Sequence, residues 1–140
     1  MLRADRLLAW MRMEESERRF AKRIREAFET DGKKPVLLKG SWGRRPNLRN
    51  QAPTPGIGLA RRLVAKYHIE VYVVCESWTS TYCPSCDAVV NEHGTHRVLH
   101  CSNIGCDKYW DRDVLGALNI LRNGVHLLRH GATHPVFRAA

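Results

Sequence analysis

Four of the five cysteines stand as Cys83-x2-Cys86, fourteen intervening residues, then Cys101-x4-Cys106. Two closely spaced thiolate pairs joined by a hairpin-length segment suit a tetrahedral zinc ion, each pair supplying one edge of the tetrahedron. Pro84 and Gly105 support tight turns within the two knuckles. Four protein ligands leave no open position for water, so zinc at Cys83, Cys86, Cys101 and Cys106 is expected to be structural. His93, His96 and His100 lie close enough in sequence to replace one thiolate, but the four-cysteine set is the expected one. Cys75 falls in an apolar run and reads as a small buried hydrophobe.

Two carboxylates are candidates for different chemistry. Glu76 closes the apolar run, and Asp113 opens a helix in Trp110-Asp-Arg-Asp113-Val-Leu-Gly-Ala-Leu-Asn-Ile-Leu121. The carboxyl edge of an α/β sheet is where sites gather, and a strand acid and a helix acid there can share Mg²⁺. Spacing alone favours plainer roles, a helix cap for Asp113 and a surface position for Glu76. Gly116 and Ala117, about one turn beyond Asp113, leave room for something to approach closely. A third feature is charge: residues 31–68 carry nine basic side chains against Asp31 alone. Lys33, Lys34, Arg44, Arg45, Arg49, Arg61 and Arg62 are the candidate nucleic-acid contacts, because a concentrated positive segment attracts a phosphate backbone. A solvated loop that only aids solubility is the competing reading.

The elements that must position these residues follow from periodicity. Trp10, Met13, Phe20, Ile24 and Phe28 recur at helical steps, interrupted by Glu17, and predict one amphipathic helix over 3–29 that Asp31-Gly32 ends. Pro35–Leu38 predicts a short strand, Gly40–Gly56 a loop rich in Pro and Gly, and Leu59, Leu63, Val64 and Tyr67 a second helix over 57–67. Ile69–Cys75 predicts a strand inside a sheet covered on both faces. After the cysteine segment, Val114, Leu118, Leu121, Val125 and Leu128 predict a final amphipathic helix, with a frayed tail beyond Gly131.

Composition narrows the class. The 140 residues carry a net charge of +9, contain no long apolar run, and begin with charges where a signal peptide needs apolar residues. A soluble intracellular protein without a membrane partner is expected, nuclear in a eukaryote or cytoplasmic in a prokaryote. A disulfide scaffold is not expected in such a compartment.

Together, Glu76-Ser-Trp-Thr79-Ser80-x2-Cys83-Pro-Ser-Cys86, the pair Cys101/Cys106 and Asp111-Arg-Asp113-Val-Leu-Gly-Ala-Leu-Asn119-Ile120-Leu121 resemble the carboxyl-terminal part of TnpB-type proteins. These are transposon-encoded, RNA-guided DNA endonucleases related to type V CRISPR effectors. The closest likeness is to their eukaryotic and viral relatives, the Fanzor proteins. The resemblance spans roughly residues 34–124 and includes Gly40-Ser-Trp42 and Pro53-Thr-Pro-Gly56.

It implies an α/β fold, a partial RNase H-like (RuvC) unit at 32–78 and 110–130 with an inserted zinc ribbon at 79–109. A long helix at 1–31 precedes this unit and a tail at 131–140 follows it. It also implies DNA and guide RNA as partners of a complete protein, and three acids binding Mg²⁺ to cut a phosphodiester. Asp113 matches the third acid. Glu76 stands where Fanzor-like members carry the second, since Leu37-Leu38-Lys39-Gly40 has no carboxylate at the usual place. Leu115 replaces a common Asn. The strand bearing the first acid, of the form Asp-x-Gly, is not in the chain, so truncation on the amino-terminal side is expected, with nucleic-acid binding but no cleavage by the chain alone. The alternatives are a non-catalytic zinc-ribbon module binding DNA or RNA, a decayed transposase remnant, and a zinc-stabilised protein-interaction domain.

Overall fold

The structure, a computed structural model, describes residues 2–41 and 56–138. Its elements run α1 (Leu2–Phe28), β1 (Val36–Gly40), α2 (Gly56–Tyr67), β2 (Glu70–Val74), β3 (Asn91–His93), β4 (Thr95–His100), β5 (Tyr109–Asp111) and α3 (Arg112–His130), then a 3-10 turn at Pro135–Phe137. The chain divides into two compact units, with the division falling inside β1 and β2. No helix among the described residues is long and apolar enough to cross a membrane.

The first unit holds α1 and α2. No Gly or Pro interrupts α1, and Glu15 pairs with Arg18 and Arg19 at helical spacing on its solvent side. Asp31 and Gly32 turn the chain in the left-handed region, as their sequence predicts. The face that α1 buries differs from the expected stripe. Trp10, Met13, Phe20 and Phe28 are exposed, whereas Glu17, Ala21 and Ile24 are buried. Ala21 and Ile24 pack with Leu63 and Ile69, flanked by Leu37, Leu59, Tyr67 and Val71. Glu17, only 6% exposed, is admitted because Arg62 of α2 meets its carboxylate at 2.6 Å. Lys66 likewise pairs with Glu14, and Arg25 donates to the Tyr67 carbonyl at the end of α2. Left-handed His68 and the Ile69 N–H bond to the Leu63 carbonyl close that helix end.

β1 and β2 form a two-stranded sheet. The expectation that β2 is covered on both faces is corrected: Val74 is buried, but Tyr72 is exposed and Val73 is 57% exposed. Cys75 is exposed too, against its expected burial. A β-branched run signals strand propensity, and how many strands flank it is a tertiary matter.

In the second unit, β3, β4 and β5 form an antiparallel sheet in that order. Gly94, in the left-handed region, makes the β3–β4 turn. Cross-strand partners are Glu92 with Leu99, Leu99 with Trp110, and His100 with both Asn91 and Tyr109. Alternation along the strands sends Leu99 and Trp110 inward, where they join Val90, Leu115 and the four cysteines. α3 starts at Asp111, whose side chain accepts from the Asp113 and Val114 amides, and ends at left-handed Gly131.

The buried face of α3 is also a correction. It consists of Leu115, Asn119, Asn123 and Gly124, while Val114, Leu118, Leu121 and Leu128 are exposed. Gly116 has open space around it; the close approach is at Gly124, where an added Cβ would lie 2.4 Å from Leu38 Cδ1. Nor is the tail frayed as far as Arg138. Phe137 is buried against the edge of Tyr82, and the His134 amide donates to Asn123 Oδ1.

Candidate metal centre and the residues around it

The two knuckles are built alike. The Cys83 amide donates to the Ala88 carbonyl and the Cys101 amide to the Lys108 carbonyl, in each case two residues beyond the second cysteine. Directly after each second cysteine, Asp87 and Asp107 adopt left-handed backbone, a conformation Asp tolerates better than most residues. In the first knuckle the turn closes from Asp87 N–H to the Cys83 carbonyl. The longer spacer of the second moves the equivalent bond to Asp107 N–H and Asn103, with Gly105 at φ 88° absorbing the extra length.

This backbone gathers the four sulfurs. All lie within 4.8 Å of one another, with Cys83 and Cys106 Sγ atoms 3.7 Å apart and Cys86 and Cys101 3.4 Å apart. A tetrahedron with Zn–S bonds of 2.3 Å has edges of about 3.8 Å, so the donor set fits zinc in both type and spacing. None of the four is in a disulfide. The thiols are electrostatically unequal. A hydrogen bond from the Asn103 side chain, with others behind it, brings Cys86 down to about 6, whereas burial pushes Cys106 up to about 12 and Cys101 upward as well. Four neighbouring thiolates repel one another, and a bound dication removes that repulsion. The cysteines could therefore bind zinc. His96 is engaged with Glu92 and His100 with Asp107, each at short hydrogen-bond distance.

Beside the cluster, residues 75–82 are stapled to α3 by two buried amides, Asn119, which sequence reasoning named only as part of a motif, and Asn123, which it did not single out. Asn119 Nδ2 donates to the Thr79 and Tyr82 carbonyls at 2.8 and 2.7 Å, and Asn123 Nδ2 donates to the Cys75 carbonyl at 2.9 Å. Thr79, itself buried, donates through both its amide and its hydroxyl to the Glu76 carbonyl. The available signal was positional. Leu115, Asn119 and Asn123 recur every four residues along one helix face, an unusual place for two amides unless carbonyls await them.

The half-buried Glu76 extends its carboxylate over Gly40, where a Cβ would fall 2.1 Å from Oε2 and 3.3 Å from Ile120 Cδ1. Gly40 is thus the residue that permits this approach. Asp113 is exposed in the first turn of α3, on the same face as Ile120 but about 10 Å of helix rise earlier. Among the described residues, the cysteines are the only group of three or more potential metal ligands brought together. Of the basic candidates, Lys33, Lys34 and Arg61 are exposed, and Arg62 is held by Glu17. Arg44, Arg45 and Arg49 lie outside the described residues.

No curated protein matches the chain in sequence. A family model does match, over residues 61–120, which run from α2 through Glu76 and the cysteine ribbon to Ile120. That stretch is similar to the Cas12f1-like TNB domain, the zinc-ribbon-type target nucleic-acid-binding domain of TnpB and Cas12f proteins.

Proposed function

We propose that the chain is the nucleic-acid-binding part of a TnpB-type protein, a ribbon folded around structural zinc and set into the carboxyl-terminal portion of a RuvC-type nuclease. The observation that carries this reading is the TNB match over residues 61–120, within which all four gathered sulfurs fall. Zinc held by Cys83, Cys86, Cys101 and Cys106 stabilises the fold and takes no part in chemistry. In a complete nuclease, Glu76 and Asp113 would be the residues that hold Mg²⁺, and the ion would supply an activated water for phosphodiester hydrolysis. Support for the pair comes from their places in the sequence, just after β2 and at the start of α3 inside the matched stretch, although Glu76 lies near Ile120, about 10 Å of helix rise from Asp113. The glutamate just after β2 favours the Fanzor-like branch. Target DNA and guide RNA are the partners of the whole assembly, with Lys33, Lys34, Arg44, Arg45, Arg49 and Arg61 supplying phosphate contacts.

Two carboxylates fall short of a three-acid site, so the chain by itself binds without cutting. The test is anisotropy of the zinc-loaded protein with labelled DNA and RNA across a salt series. Affinity that falls steeply as salt rises, and that Arg44, Arg45 and Arg49 changed to Glu weaken for every sequence alike, supports the proposal. Absent or salt-insensitive binding overturns it. Mg²⁺-dependent cutting that disappears in Asp113→Ala would overturn the non-cleaving part alone.

A further inference from the structure

The ribbon sheet has a second face. While Leu99 and Trp110 turn toward the cysteines, their neighbours His93, His100 and Tyr109 stand on the opposite side. Tyr109 lies over His100 with ring centroids 4.3 Å apart and planes 21° from parallel. His93 stands edge-on to both, at 5.1 Å from Tyr109 and 5.8 Å from His100. The His100 ring is fixed by a 2.7 Å bond from Nε2 to Asp107, directly after the second knuckle. Tyr109 remains 56% exposed and His93 is exposed. The knuckle thus orients an aromatic platform with an open face.

We propose that this platform stacks an unpaired base of a single-stranded nucleic acid, with Tyr109 as the principal ring and His100 and His93 supporting it. The inference rests on the nucleic-acid-binding reading above and assigns the ring contact within it. A single strand is the occupant because its bases offer free π-faces, whereas the bases of a duplex are already stacked. The local charge gives a phosphate backbone no attraction here. Between Thr79 and Asp111 the acids Asp87, Glu92, Asp107 and Asp111 outnumber Arg97 and Lys108. Contact on the ribbon therefore depends on the rings. Cross-strand ring packing also stabilises a sheet, so the test must separate binding from stability.

The experiment uses the zinc-loaded full chain and a fluorescein-labelled single-stranded DNA 12-mer of mixed sequence. Tyr109→Ala is expected to weaken binding roughly ten-fold with an unchanged slope of log affinity against log salt, while Tyr109→Phe binds as the parent does. Zinc content and melting of both variants are measured alongside. Parent-like affinity in a zinc-loaded Tyr109→Ala variant overturns the proposal. Should Tyr109→Ala lose zinc, photocross-linking of a 5-iodouracil-substituted strand to the unaltered protein decides the matter. Adducts on Tyr109, His100 or His93 support the platform, and adducts confined to other residues overturn it. If the parent binds no nucleic acid, the broader functional reading fails; if it binds and Tyr109 is irrelevant, only this assignment fails.

Discussion

Replacing Asn119 with Ala tests how the ribbon is fastened to α3. Asn119 is fully buried, and its amide is the donor for the Thr79 and Tyr82 carbonyls. Removing it deletes three hydrogen bonds, the third from Arg122 Nη1 to Asn119 Oδ1, and leaves the buried Thr79 carbonyl and the part-buried Tyr82 carbonyl short of a partner. An unsatisfied buried polar group costs about 1–3 kcal/mol, and carbonyls fall toward the low end, so a total near 2–4 kcal/mol is expected. For a chain of this size that lowers Tm by roughly 10 °C. The measurement is urea and thermal unfolding by circular dichroism with zinc at saturation. Asn119→Asp sharpens it, because an acceptor then faces two acceptors. That variant should be less stable than Asn119→Ala at neutral pH and should recover as acidification restores a donor. Burial and the two facing carbonyls raise the folded-state pKa of the new carboxyl against the opposing pull of Arg122, whose Nη1 lies 3.4 Å from Asn119 Oδ1, so the benefit is present at low pH and lost as pH rises through that value. An Asn119→Ala variant within about 0.5 kcal/mol of the parent would refute the staple.

Three further outcomes are expected. Cys83→Ser or Cys101→Ser should release zinc and unravel the ribbon, since metal affinity in such modules is folding energy; retained zinc with an unchanged melt would refute the four-thiolate set. Gly124→Ala should cost about 1–3 kcal/mol by driving a methyl into Leu38, and adding Leu38→Ala should recover part of that loss in a double-mutant cycle; strict additivity would place the cost elsewhere. Burial, with Arg122 and His126 adding to it, holds His134 below its ordinary 6.5, although Asp87 opposes them. The undocked tail therefore takes up a proton first, so docking of residues 131–138 should be fully stable above about pH 6.5 and weaken as pH falls through the folded value. Exchange protection of the Phe137 amide reads this, and protection that is flat from pH 7 to 5 would count against it.

What was legible in the sequence is local. The spacing of Cys83, Cys86, Cys101 and Cys106, the turn residue Gly105, the Asp31-Gly32 helix stop and the acids opening α3 act over a few bonds, and each holds in the structure, with Asp111 rather than Asp113 as the helix cap. The faces of the helices were not legible. Hydropathy placed Val114, Leu118, Leu121 and Leu128 of α3 in the core, but the buried side carries Asn119 and Asn123. Their partners are carbonyls 37 to 48 residues away in sequence. The same reason admits Glu17 to the interior, because its partner Arg62 lies 45 residues on. A polar side chain is read as solvent-facing until the chain supplies its hydrogen-bond partner, and only the tertiary fold supplies partners at that separation. Cys75 is the converse case: an apolar run promised burial, and among the described residues the sheet has two strands there and the Cys75 sulfur is exposed.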